Sequence, residues 1–489
     1  MKERMAGATT LLKPQKIHHG GTEARKKTIN ISVSPCLRGQ KSRSASAISG
    51  GSRILVALAL ASCGEVVVEP KASSGAGGGT SSTSTTSSAS TGQGGSTTTS
   101  AGQGGSATTT SAGPGGMSAG GGGAGGAPCS PMDADGDGWS ACDGDCCDAQ
   151  SPLCGDEPAL VNPGAIELLN NGIDDDCDAT TDDLTPPAPC SAEGKWTGVT
   201  GEDVARALDL CQFTTASPPL SAKVWGVLST QQLLPDGSAP TPFELADIQN
   251  YQTAILTHFG TGGIVPKKGA TMAGLSTGRM RDAAAPDYVD PTSGTGFNAY
   301  SSPPSVFLDA HGGALPASWG CLGDCPSGVG ASDPAAVRLT IRVPTNVIAL
   351  SYDFKFLSAE YGNGLCSPFN DFFLALLETG AAGMPPDHEI SLDALGNFIA
   401  INTVSFESCL PKACFTCPQG VAELAGTGLE KGASGGATAW LTTDAPVVPG
   451  EIVVLDLMIF DVSDNNVDSM VLLDNFRWKT MSAGPGPFP

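Results

Sequence analysis

The chain has 489 residues, 65 of them glycine, and a formal net charge of −23. Residues 1–62 hold eleven Lys/Arg and two Asp/Glu; taking those from the totals of 26 and 49 leaves 15 and 47, a net charge of −32 beyond residue 62. Such a polyanion repels nucleic acid and anionic lipid, so DNA or RNA binding is disfavoured, and the glycine-rich first 128 residues leave a packed core plausible only beyond about residue 190.

Residues 1–53 are basic and have no sustained apolar period. The run Ile54 to Ala61 follows Arg38, Lys41, Arg43 and Arg53, has signal-peptide length and is too short to span a bilayer. It ends Leu60-Ala61-Ser62-Cys63, which resembles a bacterial lipobox. The resemblance implies a lipid on Cys63, a mature chain beginning there, and export to the outer membrane or cell surface of a Gram-negative bacterium, because Gly64 is not the Asp associated with inner-membrane retention. The length of the basic leader suggests translation from a start codon downstream of Met1.

From Lys71 to Ala127 the chain is Gly, Ser, Thr, Ala and Gln with almost no large apolar side chains. Nothing there offsets the entropy of ordering, so it reads as a tether whose root-mean-square span is on the order of 40 Å.

Acid dominates from Asp133 to Asp183, and no Lys or Arg occurs between Lys71 and Lys195. A hard divalent ion relieves the repulsion among so many carboxylates by binding several oxygens at once. Asp133, Asp135 and Asp137 stand at loop positions one, three and five, and Gly138 stands where a calcium loop turns. Position twelve is Gly144 rather than Glu and helical flanks are missing, so the loop is not an EF-hand.

The stretch resembles the MopE-type metal-binding motif of secreted bacterial proteins. The residues concerned are Asp133 to Gly138, Gly144-Asp145-Cys146, Asn162-Pro163-Gly164-Ala165 and Asn171-Gly172-Ile173-Asp174-Asp175-Asp176-Cys177-Asp178. It implies Ca²⁺ held by Asp133, Asp135, Asp137, Asp143, Asp145, Asp148, Asp174, Asp176 and Asp178. Cys147 stands where that family usually has Asp, and Leu168-Leu169 near where a partner Cys is usual, so the disulfide framework is expected to be rewired.

Of sixteen cysteines, fourteen lie beyond Cys63: Cys129, Cys142, Cys146, Cys147, Cys154, Cys177, Cys190, Cys211, Cys321, Cys325, Cys366, Cys409, Cys414 and Cys417. With an export signal they read as disulfides in an oxidising compartment, in pairings a sequence does not fix. A zinc knuckle from Cys366, Cys409, Cys414 and Cys417 is the weaker alternative, because the paired Cys-x-x-Cys of a strong zinc signature is missing.

Beyond Cys190 the composition is that of a folded domain. Glu202 to Cys211 has apolar residues three to four apart and predicts a short helix. A second helix is predicted from the capping box at Thr241-Pro242-Phe243-Glu244, through Leu245, Ile248, Ile255 and Phe259, to a stop at Gly260, covering one side of a sheet. Val337 to Val343 and Leu350 to Phe356 alternate as strands. Further apolar runs at 372–377, 398–401, 438–441, 452–460 and 470–473 complete the pattern of an antiparallel β-sandwich.

Gly274 to Gly278, Phe354-Lys355-Phe356-Leu357-Ser358-Ala359-Glu360-Tyr361, Phe369-Asn370-Asp371-Phe372, Asp468-Ser469 and Leu473-Asp474-Asn475-Phe476 resemble the choice-of-anchor L domain. That resemblance, over roughly 196–480, implies a β-rich domain of bacterial surface proteins. Its acidic loops offer a possible second metal site at Glu360, Asp371, Asp461, Asp464 and Asp468, where oxygen-only ligands suit Ca²⁺; turn chemistry accounts for the same residues equally well.

The fold class expected is mainly β: an antiparallel β-sandwich with a few covering helices, preceded by a small disulfide-rich, Asp-rich calcium-loop module and a disordered Gly/Ser/Thr linker. The expected organisation is a basic leader and lipoprotein signal peptide over 1–62, a lipid-anchored linker over 63–128, a metal-binding module over 129–190, the sandwich over 191–480 and a disordered tail over 481–489. The function read from this order is a non-enzymatic surface lipoprotein that binds calcium and presents the sandwich for adhesion to, or recognition of, a surface glycan or protein. Alternatives are a passive surface scaffold and a secreted hydrolase using Ser276, since Gly274-Leu275-Ser276-Thr277-Gly278 fits a nucleophile elbow and His311-Gly312-Gly313 an oxyanion loop. The elbow's order is wrong, however, because its His-Gly-Gly element should come earlier and a helix should follow the serine.

Overall fold

The computed structural model describes residues 129–480, except 150, 152, 181–189, 191–192, 217–223, 318–321 and 431–433, together with the short strand at 486–488. The leader, the apolar run with Cys63, the linker, Asp182, Asp183 and Cys321 lie outside the described residues.

Residues 129–180 contain one 3₁₀ turn, Pro158–Leu160, and otherwise fold as turns. Three disulfides brace them: Cys129–Cys142, Cys146–Cys177 and Cys147–Cys154. Cys147 therefore has a cysteine partner close by in the chain. The segment docks on the sandwich through Asn162, whose Oδ1 accepts from Thr345 Oγ1 at 2.7 Å, and through Asn346, which exchanges bonds with the Ile166 backbone.

The sandwich follows. Helix α1 (Gly201–Ala207) begins with a reciprocal cap between Thr200 and Asp203 and buries Val204 and Ala205. Strand β1 is Gly226–Leu233, and helix α2 (Pro242–Asp247) carries the predicted Thr241–Glu244 capping box. The predicted second helix does not continue. A π-helical turn over Ile248–Gln252 leads into strand β2 (Thr253–Leu256), every residue of which is buried. Ile255 sits in the inter-sheet core while Ala254 and Leu256 face an outer cluster, so two apolar surfaces compete for this segment and an extended chain satisfies both.

Strands β3 (Met272–Ser276) and β4 (Tyr300–Ser301) come next, then helix α3 (Ser305–Ala310). The long strands β5 (Ala331–Arg342) and β6 (Ala349–Ser358) are followed by β7 (Phe372–Glu378), with β8 (Ile399–Ala400), β9 (Ser408–Cys409) and β10 (Gly436–Ala437) as short additions. Strands β11 (Leu441–Pro446), β12 (Ile452–Asp461) and β13 (Ser469–Lys479) complete the body. Within the expected tail, β14 (Gly486–Phe488) pairs with β11 at Thr442 to Asp444.

These strands form two antiparallel sheets. One runs β1-β5-β12-β7-β8 with β4 beside β5, and the other runs β14-β11-β6-β13-β3-β2 with β10 beside β6 and β9 beside β10. Val337, Leu339 and Ile341 of β5 point between the sheets while Arg338, Thr340 and Arg342 are half-buried outside, as the alternation predicts. The other long strands bury both faces. Phe373 and Leu457 face the inter-sheet core, whereas Phe372 and Phe460 turn outward to a second cluster under α3 and its Phe307. On the far side, Phe259, Leu424 and Leu429 cover the outer residues Leu357 and Leu472. Each such large side chain contributes about 1.5–3 kcal/mol on leaving water, and these outer layers are why β6 shows no solvent face.

Disulfides also tie the loops of this region: Cys190–Cys211, Cys325–Cys366 and Cys409–Cys417, with Cys414 disulfide-bonded as well. The four cysteines considered for zinc are thus all oxidised, and no thiolate set is available to a metal.

Candidate metal centre

The loop at 133–148 folds around its own acids. Asp133 accepts from Gly136 N at 2.6 Å through Oδ1 and from Gly138 N at 2.9 Å through Oδ2. Gly136 and Gly138 have φ of +86° and +94°, a left-handed backbone that glycine adopts without steric cost. Asp148 closes the loop by accepting from Ala134 N at 2.8 Å and Ala141 N at 3.1 Å. One oxygen each of Asp137 and Asp145 is likewise occupied, by Trp139 N and Cys147 N, both at 2.7 Å.

What these bonds leave over is chemically specific. Asp135 Oδ2, Asp137 Oδ2 and Asp145 Oδ2 are buried and accept no hydrogen bond, and Asp135, Asp137 and Asp145 can bring one oxygen each within 4.8 Å of one another. Asp145 is only 6% exposed. Buried, unpartnered, mutually close anionic oxygens are unfavourable alone and complementary to a hard cation. Burial, and next the neighbouring charges of Asp135 and Asp145, pushes Asp137 up to about 6; burial, reinforced by Asp148 and Asp135, pushes Asp145 up to about 6. Burial also raises Asp135. These residues could hold a metal ion, and an oxygen-only donor set of this kind suits a hard cation that would neutralise the charges and fix the loop geometry.

Not all the acids expected to act together do so. Asp133 and Asp137 fall in different clusters, Asp133 grouping with Asp135 and Asp148. Asp135 is the shared member, so loop positions one, three and five are divided between two overlapping clusters. Asp143 instead accepts from Ser140 Oγ at 2.6 Å and belongs to neither cluster. A third cluster joins Asp174 and Asp176 to Glu167, while Asp178 accepts from Thr180 N. Glu167 was not among the expected ligands, because it lies between the Asn-Pro-Gly-Ala and Asn-Gly-Ile-Asp phrases and carries no Asp-Gly signature. Its position is set by Asp175 N, which donates to Glu167 Oε2 at 2.9 Å.

The acids of the sandwich gather at one end. Glu360 follows β6, Asp371 precedes β7, Asp461 ends β12 and Asp468 precedes β13. Pairing of Phe460 with Phe372 and of Ser469 with Ser358 brings these strand ends side by side in each sheet. All four residues are buried, while Asp464 stands half-buried at the rim. Burial, then the charges of Asp371 and Asp464, pushes Glu360 up to about 11; burial pushes Asp371 and Asp468 up to about 7 and holds Asp461 well above the usual carboxylate range.

Ser276 is fully buried in β3, paired with Met470, and its Oγ accepts from Gly278 N at 3.0 Å. The strand is not followed by a helix, and His311 bonds Asp387 at 3.0 Å instead of a serine. Gly278 has a packing role: a Cβ there would stand 1.9 Å from Asp468 Cγ. The Gly-x-Ser-x-Gly phrase is therefore a strand end beside a buried acid and lacks the exposed serine of an elbow.

The sheet order, the buried Glu360 turn and the Asn370-Asp371 strand entry coincide with a family match over residues 332–477. Those residues are a choice-of-anchor L domain. The match spans β5 to β13 and leaves α1, β1 to β4 and the acidic module outside it. No curated protein and no solved structure matches the chain. Choice-of-anchor L is not an enzyme family and points to a surface-associated, non-enzymatic role. Among the described residues, no helix is long and apolar enough to cross a membrane.

Proposed function

We propose that this chain is a non-enzymatic surface lipoprotein in which calcium, held by the module at 129–180, rigidifies the approach to a choice-of-anchor L domain that serves in adhesion or recognition. The observation that carries the reading is the trio of buried, unpartnered oxygens on Asp135, Asp137 and Asp145. Turn chemistry accounts for the other oxygens of these residues, and a bound cation would satisfy these three together. Ligation by Asp133 and Asp148, and by Glu167, Asp174 and Asp176, would extend the same chemistry around the module.

Attachment rests on the lipobox-like Leu60-Ala61-Ser62-Cys63, with the Gly/Ser/Thr stretch acting as the tether. In this arrangement the partner is a surface glycan or protein reached by the sandwich.

Calorimetric titration of the exported chain with Ca²⁺ tests the metal reading. A saturable heat accompanied by a higher melting temperature is expected, and no heat with an unchanged melting temperature contradicts it. Mass spectrometry of the native amino terminus should find lipid on Cys63; an unmodified Cys63 removes the anchor. Glycan and cell-binding assays separate an adhesin from a passive scaffold.

A further inference from the structure

The sandwich carboxylates raise a separate question, because the module does not account for them. Asp461 Oδ1, Asp468 Oδ2 and Glu360 Oε2 accept no hydrogen bond, although their residues are 1%, 1% and 5% exposed. At the rim, Asp464 Oδ1 is also unpartnered while its Oδ2 accepts from Asn466. No Lys, Arg or His among the described residues forms an ion pair with any of the five acids. The cationic groups of this half of the molecule are engaged elsewhere: Lys355 with Glu423 at 2.9 Å, and Arg281 with the carbonyls of Trp196 and Asn250 at 2.6 Å.

The cluster also has the marks of a built site. Asp371 is held by Val462 N at 3.1 Å on one oxygen and by Ser469 Oγ at 2.6 Å on the other, so it ties the end of one sheet to the start of a strand in the other. Asp468 Oδ1 accepts from Thr295 N at 3.0 Å, and the carboxylate packs directly against Gly278, where the lack of a side chain leaves room for it. Asp371 meets the residue after Asp461 through Val462 N and the residue after Asp468 through Ser469 Oγ, which places these three acids at one end of the sandwich. Folding has brought acids from both sheets to a buried junction and, among the described residues, paired none of them with a basic side chain.

We infer that Glu360, Asp371, Asp461 and Asp468 hold a divalent, calcium-like cation between the two sheets, with Asp464 at its outer edge. The donor set is oxygen only, with no Cys or His, which selects a hard ion over a transition metal. Among the described residues, the acidic clusters whose oxygens all fall within 4.8 Å of one another lie in the module, so a cation at the wider sandwich site would draw its acids closer or keep part of its water shell. The site would lock together the ends of β6, β7, β12 and β13, and its stabilisation would act on the whole domain.

The test uses the full chain with all three module clusters silenced by Asp135→Asn, Asp145→Asn, Asp174→Asn and Asp176→Asn, so that the two metal readings fail separately. With Ca²⁺ as the probe, this protein is expected to retain a saturable calcium response and a rise in melting temperature of about 5 °C over its value in EDTA. Adding Asp461→Asn with Asp468→Asn should abolish that rise while raising the melting temperature in EDTA, because two repelling buried charges are gone. If the last variant does not fold, the module-silenced protein still decides the matter. No calcium-dependent rise in it overturns the inference and leaves carboxyl groups that share protons.

Discussion

Residues 129–180 bury only Cys147, Cys154 and Val161 as an apolar cluster, whereas the sandwich fills the space between its sheets with side chains such as Phe354, Phe356, Phe373 and Leu457 and adds a further apolar layer outside each sheet. Both regions concentrate acids, yet their acids stand on different supports. In the module the carboxylates organise the backbone, accepting from Gly136, Gly138, Trp139 and Cys147, and little but disulfides would hold the chain without them. In the sandwich the backbone is already fixed by long strands, and the acids are buried because the strands end there. The same residue type thus acts as scaffold in one region and as a load on the scaffold in the other.

Breaking the apolar support should cost most. Phe354 is fully buried with its ring 5.4 Å from that of Phe373, and Phe354→Ala is expected to destabilise the sandwich by about 3–5 kcal/mol in denaturant unfolding. Calcium affinity of the module should be unchanged in that variant at temperatures where it is folded. A parallel loss of both would mean that the regions form one cooperative unit and would dissolve the contrast.

Breaking the covalent support comes next. Cys146 and Cys177 enclose a separation of 31 residues, and Cys146→Ser is expected to remove about 2–4 kcal/mol from the module. The readout is limited proteolysis, with new cleavage between 129 and 180 while the main unfolding transition stays in place. Smaller again is the loss of one ligand: Asp145→Asn should weaken calcium by roughly 10–100-fold, equivalent to about 1.4–2.7 kcal/mol, and should not lower stability in EDTA. The gentlest probe is pH. Asp137 and Asp145 are pushed up to about 6 and must be ionised to bind, so calcium affinity should hold above that value and fall as pH drops through it. Affinity that is flat between pH 7.5 and 5 would show that neither residue is a ligand.

How much of this could be read from residues alone also divides along the two regions. The long strands β5, β6, β7 and β12 were legible because alternation and apolar runs survive even where both faces are buried. Strand β2 was not: Ile248, Ile255 and Phe259 imitate a helical stripe, and only the presence of an apolar layer on both sides of the sheet decides for an extended Thr253–Leu256. Strand β1 was missed because Ser229, Thr230, Gln231 and Gln232 dilute its pattern, and α3 because its buried anchor is the single residue Phe307.

In the module, Asp-x-Asp-Gly-Asp-Gly spacing located the loop, but the partition of its acids depends on which backbone N–H each oxygen accepts. Spacing therefore grouped Asp133 with Asp137, and folding separated them. Glu167 depends on the path of the chain across the turn at 158–165, and the Cys147–Cys154 pair on a tight local reversal between the two cysteines, for which neither composition nor periodicity is a guide.

Amide hydrogen exchange on the full chain, with calcium and in EDTA, addresses the central claim most directly, because the N–H groups that seat the ligands are known individually. Calcium should slow exchange at Gly136, Gly138, Trp139 and Cys147, whose amides donate to Asp133, Asp137 and Asp145, relative to the same amides in EDTA. Identical exchange at those four amides in the two conditions would contradict a calcium-organised module.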